Sequence, residues 1–438
     1  MTAVAPIFSD PYRQRFAEFM ARRREPDAIA KLRRTAFDRF DKLGLPTRQQ
    51  EAWRLTDLSA LQTVAWQRPG DTPVETGTLP TLDKTPTHRL AFVNGRFAPG
   101  LSRLRDLPGK TLVASLGQAL LTHPELIEPH LDRLPGLQQH AIAALNTAFW
   151  EDGAFIHLPR GTVLETPIHL VFHTTGDYLA VHPRLLLTLD ADTQATVVVE
   201  YGGQGRYLNG PVAELALGDG AVLDYHQIQE EAPGAFHLGG IRLRQGRASQ
   251  ARLHLISIGG QLARTDLEAL LDGEGANCHL NGLTLARDQQ FSDFHIRVEH
   301  AQPHGTSEQL FKSVLDGKAR TVFDAMIHVR QHAQKTDARQ VNRNLLLSRQ
   351  AQAQANPRLE ILADDVKCGH GSSTGFLDPD AEFYLRARGI PVAQARALLV
   401  HAFANDSLNR IGLTSLRERL ARLLAGRLAL DIVEEQAL

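Results

Sequence analysis

From about Gly153 to Val366, apolar residues recur at every second position instead of at the 3.6-residue spacing of a helix. In Phe294-His295-Ile296-Arg297-Val298-Glu299, apolar and polar side chains alternate without a break. Phe323-Asp324-Ala325 and Ile327-His328-Val329-Arg330 repeat the pattern, with Met326 the apolar exception. Successive strand side chains point to opposite faces, so one face of each segment is buried and the other hydrated. β-Branched runs such as Thr196-Val197-Val198-Val199 suit a pleated surface. Gly202-Gly203, Gly218-Asp219-Gly220, Gly239-Gly240, Gly259-Gly260 and Asp272-Gly273 mark turns roughly 14 to 20 residues apart. At about 5 to 6 residues per strand, each interval has room for about two strands. Such recurrence fits a solenoid whose coils bury their inward faces on one another. A β-sandwich with Greek-key connections predicts a similar count of short strands.

The flanks read as helix. Tyr12, Phe16, Phe19 and Met20 share one helical face, and Ile29, Leu32, Ala36, Phe40 and Leu43 form another stripe, stopped by Gly44 and Pro46. Thr47 with Gln50 reads as a capping box that starts a helix near Arg48 and carries Trp53. Val64 to Thr87 is a Pro/Thr/Gly-rich linker, and a further helix ends near Trp150. After the β region, Asp378-Pro379 starts a helix and Gly389 stops it; Pro391 opens another, and Ser415 with Glu418 caps a last one. The expected domains are therefore 1–150, helical and mixed; 151–368, the β core; and 369–438, helical.

Composition narrows the function. Lys and Arg total 48 against 49 Asp and Glu, a formal charge of -1, which lacks the concentrated positive field that nucleic acid or an anionic membrane requires. No run of about 18 apolar residues occurs, and Met1 to Tyr12 show no secretory pattern. With only Cys278 and Cys368 available, a four-thiolate cluster cannot be built by this chain alone, and a reducing cytoplasmic setting is expected.

Cys368-Gly369-His370 is the sharpest local feature. On an extended strand, the thiol and imidazole project to one side, and both are ligands for Fe or Zn. A polar or cationic neighbour would lower the thiol pKa. Two ligands do not close a site, so others must come from elsewhere, another chain included. A competing reading makes Cys368 the nucleophile of an enzyme and His370 its base. Gly371-Ser372-Ser373-Thr374-Gly375 matches the G-x-S-x-G elbow, but no helix follows directly. Cys278-His279 reads as a packed cysteine beside an outward histidine, the remaining histidines look scattered, and Asp364-Asp365 reads equally as a turn or a carboxylate pair. Ala395, Leu398, Leu399, Ala402 and Phe403 form an apolar helical stripe that either packs inward or docks a partner.

Ala363-Asp364-Asp365-Val366-Lys367-Cys368-Gly369-His370-Gly371 and Phe383-Tyr384-Leu385-Arg386-Ala387-Arg388-Gly389-Ile390 closely resemble the SufB/SufD family of iron–sulfur cluster assembly proteins. So do Ala333-Gln334-Lys335-Thr336-Asp337-Ala338, Asn344-Leu345-Leu346-Leu347-Ser348, Gly44-Leu45-Pro46-Thr47-Arg48 and Glu51-Ala52-Trp53-Arg54. The C-x-H-G form and the E-x-W segment are similar to the SufD side of that family. Gly369, Ser372, Ser373 and Ala325 are small-residue departures from its usual pattern. The resemblance implies a mainly β chain: a right-handed parallel β-helix (solenoid) flanked by helical N- and C-terminal domains. It further implies a non-ATPase scaffold subunit working with SufB and the SufC ATPase. Cys368 and His370 would hold transient iron or an iron–sulfur cluster shared with SufB, and the helix bearing the Ala395–Phe403 stripe would dock SufC. A homodimer is the expected alternative assembly when the chain is isolated.

Overall fold

The computed structural model describes residues 9–70, 79–82, 85–134, 136–137 and 140–435. Residues 1–8 of the opening stretch and 71–78 and 83–84 of the expected linker lie outside the described residues. Two sheets, of ten and eleven strands, face each other and form a parallel β-solenoid of about eight coils. Each coil gives one strand to each sheet. Gln250–Ser257, Asn277–Ala286, Thr306–Leu315, Asp337–Leu346 and Lys367–Phe376 follow one another in the first sheet. Leu262–Leu271, Phe291–His300, Arg320–Val329 and Gln352–Ile361 do so in the second. Phe236 stands beside Leu262 and Arg320 beside Gln352, so one coil takes 26 to 32 residues. The glycine pairs mark these coils unevenly: Gly202-Gly203 and Gly239-Gly240 lie within strands, Tyr207–Asn209 and Val212–Leu217 are two short strands between Gly203 and Gly218, and one long strand, Leu262–Leu271, fills the interval from Gly260 to Asp272. Strands of ten residues exceed the average length because each is held on both sides by a neighbouring coil.

Coil stacking converts alternation in sequence into columns in space. One inward column runs Ile168, Val197, Tyr225, Leu253, Leu280, and then Gln309, Gln340 and His370. A second runs Ala195, Leu223, Ala251, Cys278, Ser307, Ala338 and Cys368. The first members belong to one large apolar core, and the first column turns polar towards the C-terminal end. Cys278 is fully buried, which pushes its thiol up to about 12, so it is the packing residue its surroundings predict. Gly282 leaves room for the neighbouring ring: a β-carbon there would lie 2.1 Å from Cδ1 of Phe311.

Helices Ser9–Ala21, Asp27–Leu43 and Ala141–Phe149 pack on one another through Phe16, Phe37, Phe40 and Ala144. Gly44, at φ 67, ends the second of these as expected. The Thr47–Gln50 pair does not start a helix. Glu51–Trp53 is a single 3₁₀ turn, held because Trp53 lies under the guanidinium of Arg264 at 3.8 Å. His88–Val93 and Leu112–Ser115 precede residue 151 yet already extend the two sheets. At the other end, Lys367–Phe376 runs across the expected boundary at 368. Helices Pro379–Arg386, Val392–Leu408 and Thr414–Glu435 follow. Asp378 caps the first by accepting from the N–H of Asp380 at 2.9 Å. Ser415 makes no capping box; its Oγ accepts from Thr85 at 2.7 Å. Leu416, Leu420 and Leu424 lie against Val198, Ile228, Ile256 and Leu283, so the outer wall of the solenoid covers that leucine stripe.

His300 points into the core, fully buried, with Nε2 against Ser307 Oγ at 2.9 Å and Nδ1 without a partner. Burial lowers its pKa to about 4, below the unfolded value near 6.5. A depressed histidine leaves its stabilising contribution intact above about pH 6.5 and loses it as pH falls towards 4. His300→Gln is expected to remove about 1.4 kcal/mol per pH unit from the slope of urea stability across that window. An unchanged slope would refute the assignment.

Candidate functional site

Both sheets terminate at the same end, in Lys367–Phe376 and Gln352–Ile361. Among the described residues nothing covers them. Every residue of Lys367–Phe376 is exposed except Cys368, which is half-buried. The N–H of Lys367 donates to Thr336 O, so odd-numbered positions of this strand bond back into the sheet. The N–H and C=O groups of Cys368, His370, Ser372 and Thr374 then face outward, since alternate residues of a parallel strand bond to opposite sides. In the other terminal strand, the N–H of Gln352 donates to Ala319 O, which places Pro357 among the outward positions. Its missing donor costs the ladder nothing there and blunts that edge against a further strand. The edge with a full set of donors is the one that carries Cys368 and His370.

Their side chains share the inward face, at the mouth of the solenoid, above Ala338 and Gln340. Burial pushes the Cys368 thiol above its ordinary pKa, and the Asp337 carboxylate adds to that, against the opposing N–H of Ala338. The expected lowering by a polar neighbour is supplied by the Ala338 N–H but is outweighed by burial in the chain alone. His370 is exposed, and among the described residues no hydrogen bond joins it to the thiol. A nucleophile needs its base within hydrogen-bond reach, so the arrangement favours ligation over a Cys–His dyad.

Beneath the mouth lies a set of polar side chains that the sequence reading missed. Asn344 Nδ2 donates to Asn342 Oδ1 at 2.7 Å and to Thr374 Oγ1 at 3.1 Å, and Ser372 Oγ donates to Asn342 Oδ1 at 3.4 Å. One coil deeper, Gln309 is buried with neither amide atom partnered. The available signal was Gln340-x-Asn342-x-Asn344, polar at the inward period, but only the coil register says which face is inward. Gly371 to Gly375 lie within the last strand, which removes the strand–turn–helix that a hydrolase elbow requires. Asp364 and Asp365 form a bend between the two terminal strands, and Asp365 pairs with Lys335.

Residues 172–403 match the family described as "SUF system FeS cluster assembly, SufBD core domain", and residues 8–170 match "SufBD protein N-terminal region". The chain belongs to the SufBD family. An iron–sulfur cluster assembly SufBD family protein of Synechocystis is 34% identical over 92% of this chain and 92% of its own length. The iron–sulfur cluster assembly protein SufD of Escherichia coli is 29% identical over 88% of this chain and 90% of its own. SufD of Bacillus subtilis is 25% identical over 78% and 77%. This SufBD chain is therefore an iron–sulfur cluster assembly protein, and among its described residues no helix is long and apolar enough to cross a membrane.

The five residues of the expected docking stripe do not share one environment. Ala395 is buried, and Phe403 packs in part beside Val314, Leu345 and Val400. Leu398 is 51% exposed, Leu399 is half-buried and Ala402 is exposed. Val400, Ala404 and Leu408 form the face that meets the solenoid. Phe383 and Tyr384, 71% and 56% exposed, extend the uncovered apolar surface towards the mouth.

Proposed function

We propose that this chain is a SufD-type scaffold subunit whose open solenoid end pairs with SufB. Iron or a nascent cluster, as cargo, would be held between the two subunits. Cys368 supplies a thiolate once iron displaces its proton, and His370 supplies a nitrogen; the remaining ligands come from SufB. The observation that carries the reading is that Cys368 and His370 lie together, as an incomplete cage, on the terminal strand that keeps its full set of outward donors and is uncovered among the described residues. The chain's own role in the chemistry is geometric: a rigid strand fixes the two side chains two residues, about 7 Å, apart. The half-burial of the thiol keeps it protonated until a metal arrives. SufC, the ATPase subunit, would dock on the exposed part of the C-terminal helices, with Leu398 and Ala402 as the accessible members of the stripe.

The test is co-purification with SufB and SufC, followed by iron and sulfide analysis. Cys368→Ala is expected to leave subunit stoichiometry unchanged and to lower bound iron and sulfide at least about tenfold. Wild-type iron and sulfide in the variant would refute the reading. The competing reading, a cysteine-nucleophile enzyme, requires turnover of a small substrate by the lone chain that Cys368→Ser abolishes.

A further inference from the structure

The outer wall of the solenoid carries a group of side chains that cluster assembly at the mouth leaves idle. Asp224 and His226, two apart on the strand Val222–Glu230, project to the same side. The register sets His226 beside His254, one coil on. The two rings stack with centroids 4.8 Å apart and planes 15° from parallel. Asp224 Oδ1 lies 3.3 Å from Nε2 of His226 and 3.6 Å from Nε2 of His254. His226 and His254 are 1% and 4% exposed. Neither ring nitrogen of His226 has a hydrogen-bond partner, and neither has Nε2 of His254 or Oδ1 of Asp224. Buried polar atoms normally find partners, so four that converge without one call for an explanation.

We propose that Asp224, His226 and His254 bind one divalent first-row transition-metal ion through two imidazole nitrogens and a carboxylate oxygen. Metal–nitrogen and metal–oxygen bonds of about 2.0–2.2 Å in tetrahedral array separate the ligand atoms by about 3.3–3.6 Å. The two Asp224 distances meet that requirement with little movement. The donor set suits Zn(II) or Fe(II) and leaves a position for water.

The surroundings are built to follow. Asn281 Nδ2 contacts His254 Nδ1 at 3.1 Å and donates to Ser407 O at 2.9 Å. Ligation through Nε2 puts the ring proton on Nδ1, which then needs an acceptor. Turning the amide over presents Asn281 Oδ1 to it, provided the amide also swings away from Ser407 O, to which Nδ2 now donates. That oxygen and the Ser407 hydroxyl are both buried without partners in the present arrangement. The nearby cations are occupied elsewhere: Arg410 donates to Glu308 at 2.8 Å and Arg252 to Gln250 at 3.4 Å. Ser407 closes the helix Val392–Leu408 and Gly412 follows it, a β-carbon there lying 3.5 Å from Asp224 Oδ2. An ion in this place would fasten the C-terminal helices to the wall. The histidines looked scattered in sequence because His254 lies a full coil from its partners.

The test is titration of the full chain, stripped by chelator, with Co(II) as a spectroscopic probe. One Co(II) per chain with visible ligand-field absorption is expected. His226→Gln and His254→Gln should each weaken binding at least about tenfold, while Cys368→Ala and His370→Ala leave it unchanged. Substoichiometric binding, or wild-type affinity in the two glutamine variants, would overturn the proposal. Should those variants fail to fold, Asp224→Asn carries the same question. Zn(II) should then raise the Tm of the wild type and not that of the variant, and no rise in the wild type overturns the site.

Discussion

Arg264→Met is expected to lower stability by about 3–5 kcal/mol, the loss typical of a buried ion pair stripped of one partner. The Arg264 side chain is 2% exposed and holds two carboxylates, with Nη2 2.7 Å from Asp266 Oδ1 and Nη1 2.7 Å from Asp293 Oδ2. It also donates to Ala52 O at 2.9 Å and stacks on Trp53. Burial alone would raise the pKa of Asp266, but the guanidinium outweighs it and holds that carboxyl well below the usual range. For Asp293 burial prevails and the pKa rises. Methionine fills the volume but leaves two like charges in an apolar setting and releases the 3₁₀ turn at Glu51–Trp53. Urea denaturation measures the loss. Arg264→Lys, which keeps the charge without the planar fork, should lose less, and Asp293→Asn added to Arg264→Met should recover part of the deficit. A loss below about 1 kcal/mol in Arg264→Met would show that the network is not what holds this segment on the solenoid.

Ser372→Pro is expected to leave the fold intact and to weaken association with SufB about tenfold or more. The Ser372 N–H faces away from the sheet, so proline removes no internal ladder bond, as Pro357 shows on the neighbouring edge. A partner strand added to Lys367–Phe376 would lose one donor and keep an unsatisfied carbonyl, worth about 1–3 kcal/mol. Gly371→Pro is the matched control. Its N–H bonds inward, so it should destabilise the chain itself. Thermal melts with co-purification separate the two, and undiminished association of Ser372→Pro would rule out pairing through this edge.

Several features were legible because they depend on neighbours in sequence. The period-2 alternation of Phe294–Glu299 identified strands, Gly44 ended its helix, and Asp378-Pro379 began another. Cys368 and His370 were placed on one strand face by counting alone. Misreadings came where distant residues decided the outcome. The Thr47–Gln50 pair obeys the capping rule, yet Trp53 is held by Arg264, more than two hundred positions later, and a 3₁₀ turn results. The Ala395–Phe403 stripe satisfies helical periodicity, but tertiary packing buries Ala395 and leaves Leu398 in solvent. The raised Cys368 thiol likewise reflects its half-burial, to which Asp337 adds, and only the coil register sets either.

Local chemistry thus determined which segments are strands, where helices stop, and which two side chains emerge together at the mouth, because φ/ψ preference and side-chain period are properties of short stretches. Coil length, the polar interior beneath Gln340, the unpaired edge and the meeting of Asp224, His226 and His254 were settled in three dimensions. Each depends on which residue lies one turn of the solenoid away, and that distance is fixed by how the turns close, not by any residue within the strand.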